Sequence, residues 1–116
     1  MTEEIANSES LLSNAQKEHL YEKLIIQLNK DLVLANTEVE FKKNIDSTTL
    51  KQTLHEFVYK LINERFSDYL NLLYIVDVSE QQVKKLDGSD TLLLSEQITY
   101  LILKREWQKV WYKNKY

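Results

Sequence analysis

Cysteine and proline are absent from the chain, and glycine occurs once, at Gly88. Without cysteine there is no disulfide framework, no thiolate metal site and no cysteine nucleophile. Tight β-turns draw on residues that accept positive φ or preset φ, so a sheet built from hairpins lacks its turn residues here. One glycine cannot furnish either G-x-G-x-x-G or G-x-x-x-x-G-K-[ST], which excludes the two common phosphate-cradling loops and the nucleotide enzymes that use them. No window of about 18 uninterrupted apolar residues occurs. The opening MTEEIANSES is acidic and polar where a secretory signal would be basic and then apolar. These absences set the expectation of a soluble, cytoplasmic protein with no membrane segment.

What remains is a chain of 116 residues with 15 basic and 18 acidic side chains, net charge −3 and a pI near 5.4. That length suits one domain with its own core. Residues 1–12 carry no helical periodicity and read as a flexible N-terminal arm, with residues 13–116 as the helical domain. Ser13 and Gln16 have capping-box spacing, in which hydroxyl and amide groups satisfy free backbone N–H groups. Tyr21, Leu24, Ile25, Leu28 and Leu32 then share one helical face. A first helix is expected from Ser13 to Ala35.

In residues 36–46, Val39 and Phe41 alternate with Glu38 and Glu40, a strand signal, while Thr37 and Glu40 repeat the capping-box spacing. A short helix or turn is preferred. Asp46 or Ser47 caps a helix carrying Leu50, Leu54, Phe57, Val58 and Leu61 on one face. The apolar run continues through Phe66, Tyr69, Leu70, Leu72, Leu73, Tyr74, Ile75 and Val76. Helix is preferred there because a lone strand leaves its backbone unpaired, but core, interface and pocket remain open for residues 69–76. Ser79 and Gln82 open a short helix that Gly88 is placed to end as a left-handed residue, and Asp90 starts the last one.

On that last helix Leu94, Ile98, Leu101 and Ile102 fall within about 100° of one another, whereas Leu103, Trp107, Val110 and Trp111 cluster on the opposite side. Such a helix is central in a bundle or shared with a partner. The fold class is therefore all-α: a small single-domain bundle of four or five helices.

The candidate chemistry is sparse. His19 with Glu22 and His55 with Glu56 are the metal candidates. A di-metal carboxylate bundle wants Glu-x-x-His, but Gln16 and Gln52 precede the two histidines by three, and zinc wants a third or fourth ligand. Two surface or boundary histidines are the preferred reading. No serine lies in a glycine-flanked elbow, and no carboxylate pair is marked for acid–base work. An enzyme ranks below a binding protein, and no cofactor is implied.

The tail KREWQKVWYKNKY holds both tryptophans and five basic side chains against Glu106. Lys113 and Lys115 suit the negative end of the helix dipole without any ligand. Lys104, Arg105, Lys109 and Lys113 would bind phosphates if the tail met nucleic acid. However, residues 66–103 hold six acidic side chains against Lys84 and Lys85, and nucleic-acid binders are usually basic domains. Lys104 projects close to Trp111, which weakens a membrane-surface pattern. Leu103, Trp107, Val110 and Trp111 form a stripe suited to the chain's own core first, and to a protein partner or homodimer second. The functional expectation is a small helical protein-interaction module or adaptor that self-associates through its C-terminal aromatic helix, with a nucleic-acid-associated factor as the alternative.

Overall fold

The computed structural model describes residues 7–115. Six helices follow one another: α1 (Ser8–Lys17), α2 (Tyr21–Leu34), α3 (Ser47–Glu64), α4 (Phe66–Val76), α5 (Glu80–Lys84) and α6 (Thr91–Lys115). The all-α class holds among these residues, with one helix more than expected. Residues 1–6 of the expected arm lie outside the described residues. The rest of the arm is corrected: Asn7 accepts from the Ser10 N–H at 2.8 Å and starts α1, whose Leu11 and Leu12 are buried in the core. Ser13 is mid-helix and caps nothing.

The expected helix over 13–35 is two helices because the chain turns at His19, in the left-handed region at φ 60°. The Leu20 N–H reaches the Ala15 carbonyl at 2.9 Å and the His19 N–H reaches that of Gln16 at 3.1 Å. This pair of bonds is the Schellman closure, which satisfies carbonyls left open at a helix end. The same closure ends α2 at Asn36 (φ 62°) and α4 at Asp77 (φ 71°). Histidine, asparagine and aspartate are the non-glycine types most tolerant of that region, so a chain nearly devoid of glycine still stops its helices sharply. Gly88 is not one of these stops, since its φ is not positive.

Residues 36–46 form neither helix nor strand, apart from a turn at 43–44. The Asn29 side chain takes the place of a partner strand: its amide donates to the Phe41 carbonyl at 2.7 Å and its oxygen accepts from the Phe41 N–H at 2.9 Å. The Tyr21 hydroxyl donates to the Ile45 carbonyl at 2.6 Å. These three bonds fasten the connection to α2, and Phe41 is buried beneath it. Caps at the later helices match the sequence more closely. Ser79 accepts from the Gln82 N–H and Asp90 from the Leu93 N–H. Asp46 precedes α3 but spends its carboxylate on the Thr49 hydroxyl.

Helix α6 has 25 residues, so at 1.5 Å per residue it runs about 37 Å, the full length of a molecule whose longest dimension is 36 Å. It packs against α1, α2, α3 and α4. Ile98, Ile102, Leu103, Trp107 and Val110 are all buried between these neighbours, so α6 is the central element that its two apolar sides require.

Relief of left-handed strain leads us to expect His19→Gly to stabilise the fold by about 0.5–1 kcal/mol. At Gly88 an added Cβ meets only Leu94, at 3.9 Å, and Gly88→Ala is expected to gain about 0.4–1 kcal/mol through the unfolded chain. Urea unfolding of each variant checks this, and a loss of stability in either contradicts the reading of that position.

Candidate functional site

The tryptophan stripe is not a surface. Leu103, Trp107 and Val110 are buried in the chain's own core, Trp107 with 0% exposure. Only Trp111 is half-buried, edge-on to Tyr112 with ring centroids 5.2 Å apart and with Lys115 5.7 Å from its ring. The partner-binding assignment of Leu103, Trp107 and Val110 is thereby corrected. Four helices cover α6, and no face of these three residues is left for a partner.

The basic residues of the tail also fail to form one stripe. Arg105 donates to the Asp77 carbonyl and carboxylate, each at 3.1 Å. Lys109 turns inward to Asp31 at 2.7 Å. Lys104 lies 6.0 Å from the Tyr100 ring, and Lys113 is exposed. Of the four phosphate candidates, two are therefore engaged with carboxylates of the same chain.

His19 with Glu22 and His55 with Glu56 are not brought together. His19 sits exposed at the α1–α2 turn, whereas His55 on α3 bonds the Ser95 hydroxyl at 2.8 Å. Ser95 Oγ also lies 2.7 Å from the Leu92 carbonyl. No group of three or more His, Asp or Glu suited to a metal occurs among the described residues.

Under α6 lies a polar cluster that the sequence did not reveal. Glu106 and Asp31 are buried, and Lys109 Nζ stands 2.7 Å from Asp31 Oδ2 and 3.4 Å from Glu106 Oε1. Burial pushes the Glu106 carboxyl up to about 9, with the adjacent Asp31 carboxylate adding to the push and Lys109 opposing it. Burial also works against the Asp31 charge, but hydrogen bonds from Glu106 and Lys109, the Lys109 charge and Gln27 hold that carboxyl below its usual value. At neutral pH the pair thus shares one proton, carried by Glu106, and the cluster ties α2 to α6.

The longest exposed apolar line among the described residues is on α4. In FSDYLNLLYIV only Ser67, Asp68 and Asn71 are polar. Tyr69, Leu72, Leu73 and Val76 face the core. Phe66, Leu70 and Tyr74, spaced i, i+4 and i+8, are 55%, 51% and 81% exposed. Residues four apart stack on one face, so these three form a continuous line over more than two turns. The Phe66 ring is braced by Tyr69, with centroids 5.2 Å apart. Beyond Leu70 the line opens into a groove of about 620 Å³ between α4 and α5, floored by Leu73, Val78 and Val83 and rimmed by Asp77, Glu80 and Lys84. Exposed apolar residues also adjoin at Val33 and Leu34 on α2 and at Leu92 and Leu93 on α6, but among the described residues three large ones follow at four-residue spacing on α4 alone. Phe66 and Tyr74 were legible as apolar, but not as exposed: a helix apolar all round gives no sign of which side the core leaves open.

The fold is a small all-α domain in which α4 leaves an apolar line uncovered. No helix among the described residues is long and apolar enough to cross a membrane. No protein-family model, curated protein or solved structure matches the chain.

The buried pair gives a pH prediction. The unfolded Glu106 carboxyl titrates at 4.5 and the folded one at about 9. The folded state therefore holds an extra proton across that window, and stability falls as pH rises through it, by up to about 1.4 kcal/mol per pH unit. Glu106→Gln keeps a donor toward Asp31 and cannot titrate. Its melting temperature is expected to exceed that of the parent near pH 8 and to vary less over the window; parallel pH profiles for the two proteins contradict the assignment.

Proposed function

We propose that the chain is a protein-docking module whose contact face is Phe66, Leu70 and Tyr74 with the α4–α5 groove. The observation that carries this reading is the unmet face of α4, which has already buried one side in the core and holds three large side chains in water on the other. Monomeric proteins expose apolar residues singly, and contiguous lines of them are characteristic of contact sites. Aromatic anchors at the two ends, with Leu70 between them, match the composition of contacts that dominate interface energetics. The pairing of Arg105 and Lys109 with carboxylates of the same chain favours this reading over a nucleic-acid surface on α6.

A photoreactive phenylalanine derivative placed at Tyr74, irradiated in cells that make the protein, is expected to give a protein adduct. Leu70→Asp should abolish that adduct while leaving the melting curve nearly unchanged, within about 0.5 kcal/mol, and the same probe at exposed Lys43 should give none. Absence of any adduct at position 74 contradicts the proposal.

A further inference from the structure

We infer that the cleft between α2 and the last turns of α6 binds a small phosphomonoester, with the phosphate held by Lys23 and Lys113 and an apolar body laid against Ile26 and Val110. This site is separate from the α4 face and does not depend on it.

The cleft has a volume of about 310 Å³ and is lined by Lys23, Ile26 and Gln27 of α2 and by Val110, Lys113 and Asn114 of α6. Ligand sites span about 300–1,000 Å³, so this one suits a small molecule. On each helix the three residues stand at i, i+3 and i+4, which puts them on one face. Each face thus brings one lysine, one amide and one aliphatic side chain.

Charge sets the cleft apart from the rest of the surface. Lys51, Arg65, Arg105, Lys109 and Lys115 each reach a carboxylate of the same chain. Lys23 and Lys113 form no ion pair among the described residues, and no Asp or Glu lines the cleft. Lys23 is instead positioned by a neutral partner. Asn114 Nδ2 donates to the Val110 carbonyl at 2.9 Å, and Asn114 Oδ1 accepts from Lys23 Nζ at 2.7 Å. The ammonium group is oriented without being neutralised, and two of its three donors remain for a ligand. Behind the cleft, Gln27 Nε2 donates to Asp31 Oδ1 at 3.3 Å, but that carboxylate is already met by Lys109 at 2.7 Å. The negative pole of α6 offsets about half a charge. Most of two positive charges therefore stands at one cleft of a chain whose net charge is −3.

Those charges select the ligand. A phosphomonoester carries about −1.5 to −2 at pH 7 and three acceptor oxygens, which matches two ammonium groups, whereas a carboxylate matches one. Lysine meets phosphate as a point charge and needs no bidentate geometry. Ile26, 51% exposed, and Val110 supply an apolar wall that a bare phosphate would leave in water.

Phenyl phosphate is the probe, with inorganic phosphate and benzoate beside it. In two-dimensional NMR the side-chain amides of Gln27 and Asn114 should shift together on titration. Phenyl phosphate should bind at least about threefold more tightly than either comparison anion, and its binding should weaken as salt rises. Lys23→Gln keeps a polar partner for Asn114 but removes the charge, and Lys113→Met removes the other charge. Each should weaken binding at least about fivefold, while Lys43→Met, which does not line the cleft, should bind as the parent does. Melting curves confirm that each variant is folded before it is scored.

No shift of either amide up to about 10 mM phenyl phosphate overturns the inference. Unchanged binding in Lys23→Gln or in Lys113→Met also overturns it, because the phosphate is then held elsewhere. Benzoate binding as tightly as phenyl phosphate overturns the choice of a phosphate, and inorganic phosphate binding as tightly overturns the apolar wall.

Discussion

Everything in this molecule is arranged around the need to cover α6 on two sides. Its first half presents Ile98 and Ile102 and its second half Leu103, Trp107 and Val110, and all of them are buried. A helix of that length with apolar surface on opposite sides cannot lie on the outside of a bundle. Helices α1, α2, α3 and α4 all contact it, and the burial of side chains as large as Trp107 supplies much of the apolar driving force. The chain closes this arrangement by sharp stops at His19, Asn36 and Asp77 that let successive helices double back over the same central rod.

One consequence is that charge enters the interior. Lys109 lies on the buried half of α6, and its ammonium group meets Asp31 at 2.7 Å with Glu106 alongside. Two carboxyls and one ammonium group in a desolvated space are best accommodated when one carboxyl keeps its proton. The cluster thus converts Lys109, which looks available in the sequence, into an internal fastening. A second consequence concerns α4. It contributes one side to the core around α6, and no element among the described residues covers the other. The uncovered line of Phe66, Leu70 and Tyr74 follows from using a helix apolar all round in an outer position.

The helical class, the cap residues Ser79 and Asp90 and the two-sided character of α6 were legible because each rests on local spacing or on residue chemistry that depends little on the rest of the chain. The break at His19 was not, since a histidine in the left-handed region leaves no mark in a hydrophobic pattern that runs through it. Leu11 and Leu12 read as part of an arm because two adjacent leucines show no period, yet α1 buries both. The aromatic tail carried the expected contact surface, because the sequence shows that Trp107 needs cover without showing that the cover is internal. Conversely, nothing in YLNLLYIV distinguishes Leu73, which packs inward, from Tyr74, which is the most exposed large apolar side chain among the described residues. That distinction is set by the direction in which α4 leaves Arg65, a property of the tertiary fold.

The central claim is a division of labour: the apolar sides of α6 around Trp107 are internal, and the uncovered side of α4 is the proposed contact. Hydrogen exchange of the parent protein beside Leu70→Asp tests it most directly, because exchange reports local protection element by element. The account predicts that amides around Trp107 are the slowest in the chain and exchange alike in the two proteins. Faster exchange around Trp107 in Leu70→Asp would contradict it.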